Sequence, residues 1–425
     1  MKPHINTILI TGATGFLGKV LAEELLRRRN DYNITKVVLL IRSTETMDAY
    51  KRFEELIAAS LCFKNLPQDW VEHVRVINGD LAHERCGIQN IDYADICQNV
   101  THIVHAAGCT KFDSTISEAL SSNIDGALHM LEIARDCYKL QHFVTTSTAY
   151  VTPPHAMPIY ESLVHLPRPS IEIYNDLKNG NLTKKEALEL TGHPNIYSLS
   201  KCLAEHLISE RRGSLPVTIV RPSIICAAWK HPMPGWIDSK AAFAGFVLCF
   251  GKGILKVVNG RLDTKLDIIP VDEVASHLIR EIFHGYSSVA ETIRMRIVFS
   301  VATVQHSLAL GDTCQKLQLF FKKRNDTSPR PKFRYIGPRT LVFMLSEFFN
   351  QRMRLHMHAT ICRVQGKRAE AIAAKKAYRL VTAMNVLFEP YTNQTYDFRP
   401  ASSTISLNQE EYTRIICTGV CENLM

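Results

Sequence analysis

The chain has 425 residues, 46% of them hydrophobic, enough for two or three domains around a large core and incompatible with a disordered protein. Fifty Lys and Arg against 41 Asp and Glu give a formal charge of +9, and no aromatic-basic module accompanies it, so no nucleic-acid partner is expected. Twelve cysteines are scattered without CxxC pairs or histidines at metal spacing, which predicts reduced thiols, no metal site and a cytosol-facing setting. The N-terminus runs directly into a strand pattern without a signal-peptide layout, so secretion is not expected. No stretch reaches the ~20 apolar residues that span a bilayer. The nearest, from Ala241 to Val258, is cut by Gly251, Lys252 and Gly253.

In chain order, "TILIT", "KVVLLIR", "VRVINGD", "HIVHAA", "HFVTTST" and "VTIVRPS" read as strands, several apolar almost throughout, as strands covered on both faces are. Between them "FLGKVLAEELLRR", "AYKRFEELIAASL", "ALSSNIDGALHMLEIARDCYKL" and "YSLSKCLAEHLISERR" carry apolar residues at helical spacing. The alternation predicts an α/β fold, a Rossmann-like doubly wound parallel sheet, over residues 1–304. After a basic, proline-bearing stretch near residues 320–340 the pattern turns helical, which predicts a smaller, mainly helical C-terminal domain over 305–425.

The first strand ends in "TGATGFLG", with Gly12, Gly15 and Gly18 leading into a helix. Glycine permits positive φ and close backbone approach, and a helix N-terminus offers N–H groups to a phosphate, so this junction suits a dinucleotide pyrophosphate. A tight strand-to-helix turn that binds nothing has the same glycines. Where an NAD site would place an acid after the second strand, this chain has Arg42, which suits a 2′-phosphate and favours NADPH; a solvated loop arginine is the plain alternative. Asp80, after the third strand, suits the adenine amino group equally as it suits an ordinary turn.

Tyr197 and Lys201 stand four apart, hence on one helix face. A phenol titrating near ~10 is a poor acid at neutral pH, and a neighbouring ammonium is expected to lower it. A hydroxyl at the end of the fifth strand, Thr148 or Ser147, completes a set able to hold a carbonyl.

With these motifs in order, the chain resembles the fatty acyl-CoA reductases, a branch of the extended short-chain dehydrogenase/reductases with a male-sterility-type NAD-binding domain and a helical C-terminal domain. The resemblance rests on "TGATGFLGKVL" (11–21), Arg42, "STAYV" (147–151), "YSLSKCLAE" (197–205), "IVRPSIICAAWKHPMPGWID" (219–238), "DIIPVDEV" (267–274) and "EPYTNQTYDF" (389–398). It implies that Thr11, Gly12, Thr14, Gly15, Phe16, Leu17 and Gly18 line the pyrophosphate, with Arg42 on the 2′-phosphate and Asp80 and Leu81 near the adenine. It further implies that Ala106, Ala107 and Gly108 lie along the cofactor and Pro222 and Ser223 near the nicotinamide, although packing explains these five nearly as well. Thr148, Tyr197 and Lys201 would be the active site. Cys226 and Ala227 depart from the pattern, which tends to have Val-Gly or Gly-Ala there.

The implied reaction is NADPH-dependent reduction of a long-chain acyl-CoA to a primary alcohol through the aldehyde, without a covalent acyl-cysteine. Phe243, Phe246, Leu248 and Phe250 are candidates to line an acyl groove, against the ordinary reading of such stretches as core. Lys322, Lys323, Arg324, Arg330 and Lys332 could meet CoA phosphates or anionic lipid, against the reading of a solvated loop. Family members commonly continue past "LNQEEYTRIICTGVCENLM" into a hydrophobic segment, so stable membrane insertion is not expected here, whereas peripheral association is compatible with the sequence. Rivals on the same fold are a sugar-nucleotide epimerase/dehydratase, a hydroxysteroid-type dehydrogenase, and a non-catalytic NADP(H)-binding regulator. The first two give no reason for the PGW segment, and the third would be free to lose a member of the Thr148, Tyr197 and Lys201 set. Oligomeric state is not legible.

Overall fold

Seven parallel strands form one sheet in the computed structural model, which describes residues 5–154, 158–284, 295–324, 331–401 and 407–425. They are β1 (Asn6–Thr11), β2 (Ile34–Ile41), β3 (Val74–Asn78), β4 (His102–His105), β5 (His142–Thr146), β6 (Val217–Pro222) and β7 (Arg296–Ser300). Their spatial order is 3-2-1-4-5-6-7, and every neighbouring pair is parallel. The first six coincide with the expected strands. β7 was not anticipated, because "RIVFS" is short and has neither alternation nor flanking glycine or proline.

The strands are apolar on both sides because both faces are covered. Along β1, Ile8 and Ile10 pack with Val20, Leu21 and Leu25 of α1 (Phe16–Arg27), while Leu9 points into the opposite layer with Met130 and Leu131 of α2 (Gly126–Asp136). The segment "AYKRFEELIAASL" forms one α-helical turn (Ala49–Phe53) followed by a π-helical one (Glu54–Ala58). Helix α3 (Ile196–Arg211) is tied to β6 by a fully buried ion pair, Arg221 Nε to Glu205 Oε1 at 3.0 Å and Nη2 to Oε2 at 2.5 Å. Removing one partner of such a pair typically costs ~3–5 kcal/mol, so α3 is held firmly in register with the sheet.

Beyond the sheet come α4 (Ala242–Gly251), α5 (Val271–His284), α6 (Leu310–Lys323), α7 (Leu341–Glu347), α8 (Arg354–Val364), α9 (Arg368–Leu387) and α10 (Gln409–Asn423). α5 lies beside α1 and covers β4 to β7 on the same face, whereas α4, α6, α9 and α10 build a second core around Phe250, Phe321, Phe333, Val381 and Tyr412. That core also takes in Cys226, Ala227 and Ile268, so the chain on either side of residue 305 is packed together. The backbone of α10 lies so close to the Gly235 turn that a Cβ on Gly419 would stand 1.8 Å from the Gly235 carbonyl oxygen. Among the described residues no helix is long and apolar enough to cross a membrane.

Candidate active site

The strand order reverses between β1 and β4, and this leaves a crevice at their carboxyl ends, the place where open α/β sheets take ligands. Gly12 follows β1 with φ +76°, and a Cβ there would lie 2.8 Å from the Ala107 amide nitrogen, which follows β4. A Cβ on Gly18 would lie 2.1 Å from the Gly12 carbonyl oxygen, and one on Gly15 would lie 3.2 Å from the same atom. The turn thus requires glycine at 12 and 18 on steric grounds alone. Thr11 Oγ1 accepts from the Ala107 amide at 3.2 Å and lies 2.9 Å from His105 Nδ1, which joins the two strand ends. Gly15 caps α1 without a side-chain hydrogen bond, and no acid stands in the first turn. The donors there are left for an anion, so the residues present fit a pyrophosphate. Phe16 stacks on Trp236 with centroids 5.4 Å apart and Lys19 Nζ meets Asp238 Oδ2 at 2.6 Å, which fastens the PGW segment to this turn. Thr14 and Leu17 are half-buried beside it.

At the end of β2, Arg42 is exposed, with Nη1 3.8 Å from Asp80 Oδ2. Arg52 donates to the Arg42 carbonyl oxygen. Burial, and then the Arg42 charge beside it, hold the Arg52 guanidinium below its ordinary range. Two guanidiniums therefore share one strand end. Sequence reading missed Arg52, because in "AYKRFEE" it looks like one more charge on a solvated helix face. Asp80 also works as a turn residue, its Oδ1 accepting from the Ala82 amide at 3.1 Å. The Leu81 carbonyl oxygen lies 2.8 Å from His129 Nδ1.

The chemistry-bearing side chains meet at the ends of β5 and α3. Asn195 caps α3, its Oδ1 accepting from the Ser198 amide at 2.9 Å, and this sets Tyr197 and Lys201 on the first two turns. Lys201 is buried and donates to the Thr146 carbonyl oxygen at 2.9 Å. Gly108 lies against it, since a Cβ there would be 3.1 Å from Nζ. Burial pushes the Tyr197 phenol up to about 12, with the neighbouring Thr148 hydroxyl pulling the other way. Burial also brings Lys201 down to about 8, opposed by the Glu205 carboxylate. The expected acidification of the phenol by the ammonium does not appear; desolvation sets the direction of the shift.

Thr148, Tyr197 and Lys201 are thus brought together. Ser147 stands apart: its amide donates to the Val220 carbonyl oxygen at 2.7 Å, and its buried hydroxyl has no hydrogen-bond partner among the described residues. Pro222 ends β6, and the Ser223 amide donates to the Ser300 carbonyl oxygen at 3.1 Å, so both take part in strand packing. Ala106 and Ala107 are half-buried along the crevice.

Two further residues were not foreseen. Asn123 clamps the Gly108–Cys109 loop to α3, donating to Cys109 O at 3.1 Å and Ser200 Oγ at 2.9 Å while accepting from the Cys109 amide at 2.8 Å. Tyr391, in the C-terminal "EPYTNQTYDF", accepts from Asn195 Nδ2 at 2.8 Å. Its ring lies 5.4 Å from that of Phe112, which in turn lies 5.8 Å from Tyr197. Only chain folding brings these groups to the site, so no local spacing announces them.

Other expectations fall elsewhere. Phe243, Phe246, Leu248 and Phe250 are packed core, not groove: all four are buried, and Phe250 stacks on Phe333 at 4.0 Å. Cys226 and Ala227 are buried under α10, where the Tyr412 hydroxyl donates to Ala227 O at 2.7 Å. Lys322, Lys323 and Lys332 are exposed, Arg324 is half-buried, and Arg330 lies outside the described residues. A cavity of about 930 Å³ opens between residues 261–264, 303–305 and 393–400, and none of the candidate site residues lines it.

A family profile described as "Male sterility protein", an NAD-binding domain, matches residues 10–278. Among curated proteins, the chain is 32% identical over 285 residues to fatty acyl-CoA reductase 1 of Homo sapiens and 29% identical over 276 residues to fatty acyl-CoA reductase wat of Drosophila melanogaster. Each match covers 64% of this chain and 53% of the relative, so the chain spans about half the length of the curated relatives it matches. Among solved structures, the terminal R domain from the myxalamid PKS-NRPS biosynthetic pathway superposes with a TM-score of 0.67 at 18% identity, covering 99% of this chain and 92% of that one. That likeness shows the fold.

Proposed function

Because the chain belongs to the Male sterility protein family of NAD-binding domains, we propose that it reduces a long-chain fatty acyl-CoA to the primary alcohol through the aldehyde, with NADPH as reductant. The observation that carries the reading is the meeting of Thr148, Tyr197 and Lys201 beside a glycine turn whose donors suit a pyrophosphate. The proximity of Arg42 and Arg52 supports NADPH, since two guanidiniums at the end of β2 answer a 2′-phosphate. In this reading Gly12, Gly15 and Gly18 hold the pyrophosphate, and residues 1–304 make the cofactor-binding domain, followed by a helical domain over 305–425.

When bound, the nicotinamide supplies hydride to the carbonyl carbon. The protein's part is electrostatic. A half-buried phenol pushed up to about 12 stays protonated at neutral pH, so Tyr197 acts as a donor in the reductive direction. Together with the Thr148 hydroxyl it stabilises the carbonyl oxygen as negative charge develops, each such donor typically contributing ~3 kcal/mol. Lys201, fixed by the Thr146 carbonyl, holds the ribose side of the crevice and supplies positive charge below pH 8. Release of CoA thiol leaves an aldehyde, which the same donors serve in the second reduction.

The test is incubation of the purified chain with NADPH and a panel of acyl-CoAs, with identification of the lipid product. Two NADPH consumed per fatty alcohol is the expected result. No consumption with any acyl-CoA, alongside turnover of a nucleotide sugar or a steroid, would overturn it.

A further inference from the structure

Exposed apolar surface is unevenly distributed in this protein. Of the 24 large hydrophobic side chains exposed among the described residues, 13 fall between Leu341 and Val386. Leu341, Leu345, Phe349, Met353, Met357 and Ile361 recur at four-residue steps along α7, the π-helical turn Phe348–Met353 and α8. On an α-helix such steps wind slowly around the axis, and the wider π turn in the middle offsets part of that winding. The result is a stripe roughly 30 Å long at 1.5 Å per residue.

This helix already has an inner side. Phe343, Gln351, Ala359 and Cys362 are buried, and Gln351 Oε1 accepts from the backbone amides of Lys256 at 3.1 Å and Val257 at 3.2 Å. The stripe is therefore a second apolar face, additional to the one that packs on the body. Monomeric proteins seldom leave a patch of this kind unpartnered.

The charge of the same segment identifies what would cover it. From Arg339 to Leu387 the sequence carries nine Lys and Arg and two Glu, so seven of the chain's nine net positive charges lie in 49 residues. Arg352, Arg354, Arg363, Lys367, Lys375 and Lys376 are all exposed. Apolar side chains among exposed cations suit an anionic bilayer surface, with the former entering the acyl boundary and the latter meeting headgroup phosphates. A second copy of the chain would bring the same positive charge against itself, which opposes self-association through this face.

We infer that the hairpin formed by α7, α8 and α9 docks in the plane of an anionic lipid bilayer. The inference is independent of the reductase reading, because binding is measured without substrate or cofactor. The experiment is flotation of the full chain with vesicles of phosphatidylcholine alone or with added phosphatidylserine. Flotation with the serine-containing vesicles, weakened by salt, is expected. Each basic charge near such a surface contributes roughly fivefold to binding, so Lys375→Ala with Lys376→Ala should weaken it about 30-fold. Met357→Ser with Ile361→Ser should abolish it, while circular dichroism stays that of the parent chain. Three results would overturn the inference: no flotation with either vesicle, flotation unaffected by both pairs of changes, or a dimer in sedimentation equilibrium that Met357→Ser with Ile361→Ser splits without vesicle binding ever being seen.

Discussion

The turn at Gly12–Gly18 and the hairpin at Leu341–Leu387 are both helix-bearing segments, but they solve opposite problems. In the turn, the missing side chains make room: a Cβ at Gly18 would sit 2.1 Å from the Gly12 carbonyl oxygen, and the donors of α1 are left for a ligand. In the hairpin, large side chains stand outward, with Met357 56% and Val364 84% exposed. The first region creates a site by subtraction and the second by display. Substitutions in the first should therefore act on chemistry and folding, and substitutions in the second on attachment alone.

The largest effect should come from Tyr197→Phe. Removing one oxyanion donor costs about 10²–10³ in turnover. Steady-state assays should register that fall while NADPH binding by fluorescence is retained, and unchanged turnover would remove Tyr197 from the chemistry. Next, Gly18→Ala should destabilise the fold by about 3 kcal/mol or more, because the new methyl meets backbone rather than a flexible side chain. Chemical denaturation measures this, and wild-type stability would show that the turn is looser than described.

Arg52→Ala should lower the preference for NADPH over NADH by about tenfold, the scale of one lost charge-assisted contact. The ratio of kcat/KM values reads it directly; an unchanged ratio would leave Arg42 alone in that role. The pH profile carries the sign of the Lys201 shift. An amine brought down to about 8 is charged below that pH and neutral above it, so activity should decline as pH rises through 8, and Lys201→Met should flatten that limb. The smallest effect belongs to the display region, where Met357→Ser with Ile361→Ser should change stability by only about 0.5 kcal/mol and leave kcat with a water-soluble acyl-CoA within about twofold.

The two regions also differ in what a sequence can disclose. The glycine turn, Arg42 and the Tyr197–Lys201 spacing are local: each needs a residue type at a fixed offset from a strand or along one helix, and six of the seven sheet strands were legible for the same reason. Arg52, Asn123 and Tyr391 reach the site only through tertiary folding, Tyr391 from nearly 200 residues beyond Asn195, at 2.8 Å from its side chain. Phe243 to Phe250 and Met353 to Ile361 both carry large apolar side chains about one helical turn apart. One packs around Phe333 and the other faces outward, and only the neighbours brought by the fold distinguish them. The titration of Tyr197 belongs to the same class, because the spacing shows the neighbouring amine but not the burial that raises the phenol.

The claim on which the chemistry depends is that hydride reaches an acyl carbon in the crevice between β1 and β4. NADPH carrying deuterium at both C4 positions, given to the chain with palmitoyl-CoA, tests it by mass spectrometry of the lipid. The account predicts an alcohol with two deuterium atoms on its first carbon, formed about a hundredfold or more slowly by Tyr197→Phe. A lipid product without label, or labelling at an equal rate by the Tyr197→Phe chain, would contradict it.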